Sequence, residues 1–258
     1  MHVIITGGSS GIGLELARIY LRTGHHVSII ARNISRLHAA TQELSVVADR
    51  VFSVEGDVCD RDDIKSAIET CEREAGPCDL LITSAGVVDP ALFENMDPDS
   101  FRRQWDTNFI GTVNAVAAVY EKMQKRKNGA IMLISSAAGH IGIPGYTAYC
   151  ASKAAVASFA ESLSSEAGRN VYVGVCFPPD TLTPQLEQEL KRRPALAAEL
   201  MGKSDPWPVE KVAQHIATAI TKGRHQIHFG LRLKALAVFG AFIKPVLYWL
   251  LSRKSKMR

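Results

Sequence analysis

The stretch Thr6-Gly7-Gly8-Ser9-Ser10-Gly11-Ile12-Gly13 decides the fold of this chain. An apolar run precedes it and an amphipathic run follows it, so it joins a strand to a helix. Glycines in such a turn let the backbone approach a pyrophosphate, which the free N–H groups at the start of the helix attract. A purely structural turn is the alternative, but the strand before and the helix after favour a nucleotide. The residues expected to hold it are Gly7, Ser9, Ser10, Gly11, Ile12 and Gly13.

Short apolar runs alternate with amphipathic runs along most of the chain, a pattern typical of strand-helix units. The predicted strands are 2–6, 26–31, 50–55, 79–83, 129–135, 171–177 and 225–229. The predicted helices are 12–23, 34–48, 60–75, 98–127, 147–168, 184–201 and 208–222. We therefore predict an α/β Rossmann fold in a single domain, residues 1–230, with a doubly wound parallel sheet of about seven strands and helices on both faces.

The charge of the chain is unevenly distributed. The 258 residues carry a net charge of +4, but no acidic residue follows Glu210, so the first 210 residues sum to 20 minus 26, or −6. A hydrophobic content of 47% excludes disorder as the main state. The five cysteines form neither a disulfide framework nor a C-x-x-C pattern, which favours a reducing compartment. No basic and apolar leader precedes the first strand, so we expect no secretory signal.

Tyr149 and Lys153 are the residues that point most directly to chemistry. Residues four apart on a helix share a face, so the Lys153 ammonium is expected beside the Tyr149 phenol. A nearby positive charge favours the phenolate, which predicts a lowered Tyr149 pKa and proton exchange with a substrate oxygen. A helix start with a surface lysine is the alternative, and Ser136 thirteen residues upstream favours catalysis.

The end of the second predicted strand indicates which dinucleotide is bound. An Asp or Glu at this position hydrogen-bonds the ribose of NAD, whereas an Arg accommodates the 2′-phosphate of NADP. The chain has Arg32 here and Arg36 one turn later. NADPH is therefore predicted, and the alternative is that these arginines are ordinary solvated charges.

In the order and spacing of these motifs, residues 2–230 resemble the short-chain dehydrogenase/reductase family. The resemblance implies that Ser136 orients a substrate carbonyl, that Tyr149 is the acid/base, and that Lys153 binds the nicotinamide ribose. It also implies that Asn108 holds a water in a proton relay, although Asn108 bonding only helix backbone is the alternative. The other cofactor contacts it implies are Asp57, Val58, Ala85, Gly86, Pro178 and Thr181. Members usually oligomerise, so a dimer or tetramer is expected.

Two departures from the family pattern carry information. Thr83-Ser84-Ala85-Gly86 stands where N-N-A-G is common, which predicts altered local packing, and Pro178-Pro179 stands where Pro-Gly is usual. The loop P-P-D-T-x-T-P, with the apolar C-terminal segment, is similar to the branch that reduces 3-ketodihydrosphingosine with NADPH. That branch acts on the ketone of a long-chain amino-keto lipid. Its eukaryotic members carry an N-terminal membrane segment that we do not find here.

The C-terminal segment, residues 231–258, is mostly apolar and ends in Arg253, Lys254, Lys256 and Arg258. A spanning helix needs about 20 apolar residues, but Lys234, Lys244 and Pro245 divide this segment into pieces of nine and six. We therefore expect it to lie in one leaflet, which makes the protein cytoplasmic and peripheral on the cytoplasmic face of a membrane. A helix packed on a sister subunit is the alternative.

Other side chains are expected to have less direct roles. Leucines between Pro178 and Pro208 would either pack a helix against the core or form a lid over the substrate, with the basic triplet 191–193 on membrane phosphate or simply solvated. His140 is expected to be an exposed loop residue, and Cys150 a small buried one. No metal site is predicted, since the histidines lack partners at ligand spacing, and no nucleic-acid binding, since the basic excess is terminal.

These expectations combine into an NADPH-dependent reductase of a lipid ketone, with 3-ketodihydrosphingosine as the substrate that the branch implies. Reduction of another apolar ketone, such as a 3-oxoacyl thioester or a steroid, is the first alternative. A scaffold that senses NADPH without turnover is the second, although it would not need all of Ser136, Tyr149, Lys153 and Asn108.

Overall fold

Seven parallel strands form one sheet in the computed structural model, which describes residues 1–202 and 205–255. The strands are β1 His2–Thr6, β2 His26–Ala31, β3 Val51–Glu55, β4 Leu80–Thr83, β5 Ala130–Ile134, β6 Tyr172–Phe177 and β7 Gln226–His228. Their order is β3-β2-β1-β4-β5-β6-β7. The predicted doubly wound sheet is confirmed, and the direction of winding reverses between β1 and β4.

Helices cover both faces of this sheet. They are α1 Gly11–Arg22, α2 Ile34–Ser45, α3 Arg61–Ala75, α4 Pro98–Trp105, α5 Gly111–Arg126, α6 Thr147–Ala167, α7 Pro184–Arg192, α8 Ala195–Met201, α9 Val209–Thr221 and α10 Gly230–Ser255. The predicted helices are present, but two of them are interrupted.

The interruptions have local causes. The helix predicted at 98–127 contains a π turn, Asp106–Ile110, between α4 and α5. Such turns insert an extra residue and are frequent at functional sites. The helix predicted at 184–201 breaks between α7 and α8 because Pro194 lacks a backbone N–H and excludes Arg193 from helical geometry.

The core lies on both sides of the sheet because alternate side chains of a strand point to opposite faces. On β1, Val3 and Ile5 pack in one cluster with α1, α2 and α9, while Ile4 packs in the other with α3, α5 and α6. All three side chains are fully buried. Each such burial contributes about 1.5–3 kcal/mol, and the two-sided core fixes the strand ends that carry the site.

The C-terminal segment is helical over α10, but two helical parts meet there at a kink, which does not fall at the Lys234, Lys244 or Pro245 that divide its apolar residues. Its irregular backbone falls at Phe239, beside Gly240, and the helix continues through Pro245. The stretch Gly230–Arg253 is long and apolar enough to cross a membrane, with a mean hydropathy of 1.7, and 6% of its most apolar window is buried. Lys256 and Arg258 of the predicted basic end lie outside the described residues.

Candidate active site

A cavity of about 860 Å³ opens at the carboxyl edge of the sheet, where its winding reverses. Crevices at this position bind ligands in open α/β sheets. The loops after β1 to β6, helices α6, α7 and α8, and one face of α10 line it. Of the residues predicted for the site, all but Gly13 and Asn108 line this cavity.

The glycine loop forms a close backbone cradle at one end of the cavity. Gly7 has a φ of +69°, and a Cβ there would lie 2.6 Å from the Ala85 nitrogen. A Cβ on Gly13 would lie 2.5 Å from the Gly7 oxygen, so the loop and the first turn of α1 pack too closely for any side chain. The Ser10 side chain does not cap α1. Gly11 and Ile12, the first residues of α1, line the cavity, so the start of the helix lies where a phosphate would bind.

Arg32 and Asp57 form an ion pair at the same end. Arg32 Nη1 lies 3.3 Å from Asp57 Oδ2, and the guanidinium is 56% exposed. Burial alone would raise the pKa of Asp57, but the hydrogen bond from Cys59 N–H and the charge of Arg32 hold it below its usual value. Arg36 donates its backbone N–H to Asn33 at the start of α2. Both arginines predicted for a 2′-phosphate therefore stand beside the cradle.

The segment after β4 packs between the cradle and α6. A Cβ on Gly86 would lie 3.2 Å from Asn108 Oδ1 and 3.4 Å from Lys153 Nζ, so a side chain here would crowd the Asn108 amide. Thr83 Oγ1 is buried and has no hydrogen-bond partner within the described part of the chain. The departure from N-N-A-G thus leaves one hydroxyl unsatisfied, which costs about 1–3 kcal/mol.

Asn108 is fully buried in the π turn. Its Oδ1 accepts from Val87 N–H at 2.7 Å, and its Nδ2 donates to Val87 O and to Ser152 Oγ at 2.9 and 3.0 Å. The side chain therefore ties the segment after β4 to α6, which carries Tyr149 and Lys153. The π turn supplies the extra residue that aims this amide across the gap.

Ser136, Tyr149 and Lys153 meet where β5 ends and α6 begins. Ser136 Oγ accepts from Ala138 N–H at 3.1 Å, and its hydroxyl is also hydrogen-bonded with that of Tyr149. Lys153 Nζ lies 5.8 Å from the centre of the Tyr149 ring and donates to Ile134 O at 3.0 Å. The predicted cluster is therefore assembled at one point of the cavity wall.

Burial controls the protonation of this cluster. It raises the pKa of Tyr149 well above its usual value, more than the hydrogen bond with Ser136 lowers it. Burial also lowers the pKa of Lys153 from 10.5 to about 8. The predicted lowering of the Tyr149 pKa by Lys153 is therefore wrong, because desolvation of the buried phenol is the largest cause of its shift and raises the pKa.

The loop after β6 closes the cavity from the side. Pro178 O accepts from Ala137 N–H at 3.0 Å, which holds this loop against the Ser136 turn. Thr181 Oγ1 donates to Pro179 O at 2.8 Å, and its backbone pairs with Trp207. The predicted contact residues Pro178 and Thr181 are thus fixed at the cavity wall.

The basic triplet 191–193 does not form the free cationic face considered from the sequence. Arg193 is 11% exposed and bonds to Asp180 and Glu189 inside the lid, at 2.9 and 2.6 Å. Arg192 pairs with Asp89. Sequence reasoning missed this network, because nothing local to the triplet shows that Asp180 and Asp89 approach it.

Helix α10 presents one of its apolar faces to the cavity. Leu233, Leu236, Ile243 and Leu247 are among the residues that line it, two before and two after the kink at Phe239. Tyr248 fixes this side by donating to Gly142 O at 3.2 Å and accepting from Gly142 N–H at 2.9 Å. The segment treated from the sequence as a separate tail is therefore also a wall of the cavity.

The structure also places Cys150 and His140, to which the sequence analysis gave no catalytic role. Cys150 is buried, as expected, which raises its pKa to about 11. His140 is half-buried and not exposed, since its Nε2 lies 3.1 Å from that of His228 and its ring contacts Phe177. Within residues 1–202 and 205–255, no three His, Cys, Asp or Glu side chains form a group that could hold a metal ion.

Comparison with known proteins gives the same family as the motifs. The family model for short chain dehydrogenases matches residues 1–194. The chain is 37% identical to a 3-dehydrosphinganine reductase of Danio rerio over 254 residues, covering 95% of this chain and 76% of that protein. It is 33% identical to a 3-ketodihydrosphingosine reductase of Bos taurus over 235 residues, covering 89% of this chain and 71% of the relative.

Solved structures show the same fold. Levodione reductase superposes with a TM-score of 0.80 at 21% identity, covering 88% of this chain and 94% of that one. Actinorhodin polyketide ketoreductase, solved with NADPH, superposes with a TM-score of 0.79 at 23% identity and the same coverage. From the matched motifs, relatives and fold, the chain belongs to the short-chain dehydrogenase family and uses a nicotinamide cofactor.

Proposed function

We propose that this protein is an NADPH-dependent reductase that converts 3-ketodihydrosphingosine to dihydrosphingosine. One observation carries the proposal: a single cavity has the Ser136, Tyr149 and Lys153 cluster in its wall and an apolar face of α10 along its side. The three-residue cluster supplies the chemistry of a ketone reductase, and the apolar face of α10 supplies a surface for a long acyl chain. The names of the relatives agree with this substrate.

The residues of the cradle fit NADPH. The backbone of Gly7 to Gly13 and the start of α1 would hold the pyrophosphate, since a Cβ at Gly7 or Gly13 would clash with neighbouring backbone and the start of the helix lies at the cavity. Arg32 and Arg36 would receive the 2′-phosphate. Asp57 and Val58 would contact adenine, and Lys153 and Thr181 the nicotinamide ribose and carboxamide. When bound, the cofactor supplies the hydride.

Tyr149 is proposed to donate the proton to the carbonyl oxygen as the ketone is reduced. Its raised pKa keeps the phenol protonated, the form that a reduction needs. Ser136 donates a hydrogen bond to the same oxygen and stabilises its developing negative charge. Asn108 positions α6 through Ser152, and its predicted part in a water relay stays a prediction.

We also propose that residues 231–258 hold the protein at a membrane surface. The side of α10 away from the cavity exposes Val238, Phe242, Val246 and Trp249. A helix with one apolar face on protein and another exposed fits a peripheral position at the lipid boundary, with the cytoplasmic face as the proposed side. The sister-subunit alternative predicts instead a dimer or tetramer that buries this face.

The first experiment measures NADPH oxidation by purified protein with 3-ketodihydrosphingosine in detergent micelles. NADH and an acetoacetyl thioester are the controls. Rapid oxidation with the sphingoid ketone and NADPH alone is the expected result. Turnover of the thioester without turnover of the sphingoid ketone would move the protein to fatty-acyl chemistry.

Replacing Tyr149 with Phe distinguishes a reductase from an NADPH-sensing scaffold. The substitution should lower kcat by about 10²–10⁴-fold, the usual contribution of a general acid, while NADPH fluorescence titration gives an unchanged Kd. Tyr172→Phe is the matched control, since this phenol donates to Arg224 O outside the cavity. Full activity in Tyr149→Phe would exclude the mechanism.

The membrane contact is tested on the outer face of α10. The double variant Phe242→Ser and Val246→Ser should weaken co-sedimentation with anionic vesicles and leave reduction of a short soluble ketone unchanged. Unchanged sedimentation, with a smaller oligomer by light scattering, would assign the face to a sister subunit.

A further inference from the structure

Two carboxylates, Asp180 and Glu189, line the cavity on its lid side. Asp180 lies in the loop after β6, and Glu189 lies on α7. Their side chains are 23% and 11% exposed. Enclosed carboxylates need hydrogen-bonding or charged partners, so those partners decide what else these two side chains can bind.

One guanidinium bonds to both carboxylates from behind. Arg193 Nη2 lies 2.9 Å from Asp180 Oδ2 and 2.6 Å from Glu189 Oε1, and Arg193 is not among the residues that line the cavity. Tyr146 also donates to Glu189 Oε1, at 2.7 Å. The carboxylates of Asp180 and Glu189 thus share one guanidinium, that of Arg193. Together the three side chains carry a net negative charge, and the two carboxylates are the members that face the cavity.

These carboxylates act on the reacting phenol. Tyr146, which bonds to Glu189, has its ring centre 6.3 Å from that of Tyr149. Burial is the main cause of the raised pKa of Tyr149, and the charges of Glu189 and Asp180 add to it. The neighbouring lining residues, Leu186, Leu200 and Met201, are apolar. The same wall of the cavity therefore offers both negative charge and hydrocarbon.

We propose that Asp180 and Glu189 recognise a primary ammonium on the carbon next to the reacting ketone. This inference rests on the proposed function, because 3-ketodihydrosphingosine carries its amine at that carbon. With the carbonyl oxygen at Tyr149, the adjacent ammonium falls on the negative end of the lid and the acyl chain on the apolar part. Arg193 and Tyr146 hold the carboxylates in place, so little ordering is needed when the substrate binds.

The test compares two ketones with the same chain, 3-ketodihydrosphingosine and its analogue without the amine. Wild-type protein should show a higher kcat/KM for the amino ketone. Glu189→Gln and Asp180→Asn should each lower kcat/KM for the amino ketone by about tenfold or more, the usual range for a hydrogen bond to a charged group. Any effect of these variants on the Tyr149 pKa is common to both ketones, so the readout is the ratio of the two kcat/KM values, amino ketone over deamino ketone, which should fall by about tenfold or more.

Glu187→Gln is the matched control, because Glu187 is exposed on the same helix and does not line the cavity. An equal loss on both ketones in both variants would mean that the carboxylates only position the lid, and would overturn the inference. A wild-type protein that reduces both ketones equally well would also overturn it while leaving ketone reduction intact. Reduction of neither ketone would instead refute the proposed function.

Discussion

Replacing Lys153 with Met should stabilise the protein at neutral pH while abolishing its activity. Burial lowers the pKa of this lysine from 10.5 to about 8. Each pKa unit corresponds to 1.36 kcal/mol, so keeping the ammonium charged at pH 7 costs the folded state about 3 kcal/mol. The hydrogen bond to Ile134 O returns about 1 kcal/mol. Methionine fills a similar volume without the charge, and the net gain should be about 2 kcal/mol.

The lowered pKa of Lys153 also predicts how the stability difference between the variant and the wild type changes with pH. Between about pH 8 and pH 10.5 the unfolded chain binds the Lys153 proton and the folded protein does not, so wild-type stability rises with pH across this window. The advantage of Lys153→Met should therefore be complete below pH 8 and disappear by about pH 10.5. The burial that assists catalysis is then a cost to stability, as is usual at functional sites.

Urea denaturation followed by tryptophan fluorescence at pH 7 and pH 10 measures both effects. Lys211→Met, on the exposed side of α9, is the control and should show no comparable gain at either pH. A Lys153→Met protein that is less stable than wild type at pH 7 would refute the reasoning. So would an advantage that stays constant as the pH rises.

Three further substitutions test the cofactor cradle, the buried hydroxyl on β4 and the α10 wall of the cavity. Arg32→Ala should lower the preference for NADPH over NADH in kcat/KM by about tenfold, because it removes a charge-assisted phosphate contact. An unchanged ratio would exclude Arg32 from recognition of the 2′-phosphate. Thr83→Val should raise the free energy of unfolding by about 1 kcal/mol, because it removes an unsatisfied buried hydroxyl; a loss in a thermal melt would show that the hydroxyl has a partner. Tyr248→Phe removes both hydrogen bonds to Gly142 and should raise KM for the lipid ketone more than for a short one; equal effects would mean that α10 does not line the acyl path.

The sequence predicted most of the secondary structure because strands and helices of this chain are local patterns. Thr6 to Gly13 could be assigned to a strand-to-helix turn before any contact was known, and β1 and α1 lie on either side of it. The two interruptions within the predicted helices were harder to predict. Pro194 indicated one of them in principle, whereas no residue type marks the π turn at Asp106–Ile110, since its extra residue is accommodated by packing around Asn108.

The chemical residues were predictable for the same reason, and their electrostatics were not. The spacing of Tyr149 and Lys153 determined that they would share a helix face, but the sign of the Tyr149 pKa shift depends on how deeply the fold buries the phenol. The sequence likewise showed an apolar C-terminal segment and a basic triplet. Only the tertiary structure placed α10 along the catalytic cavity and turned Arg193 inward to Asp180 and Glu189. Spacing along a chain fixes which side chains are neighbours on one element, whereas burial and charge pairing depend on elements distant in sequence that meet only when the sheet is assembled.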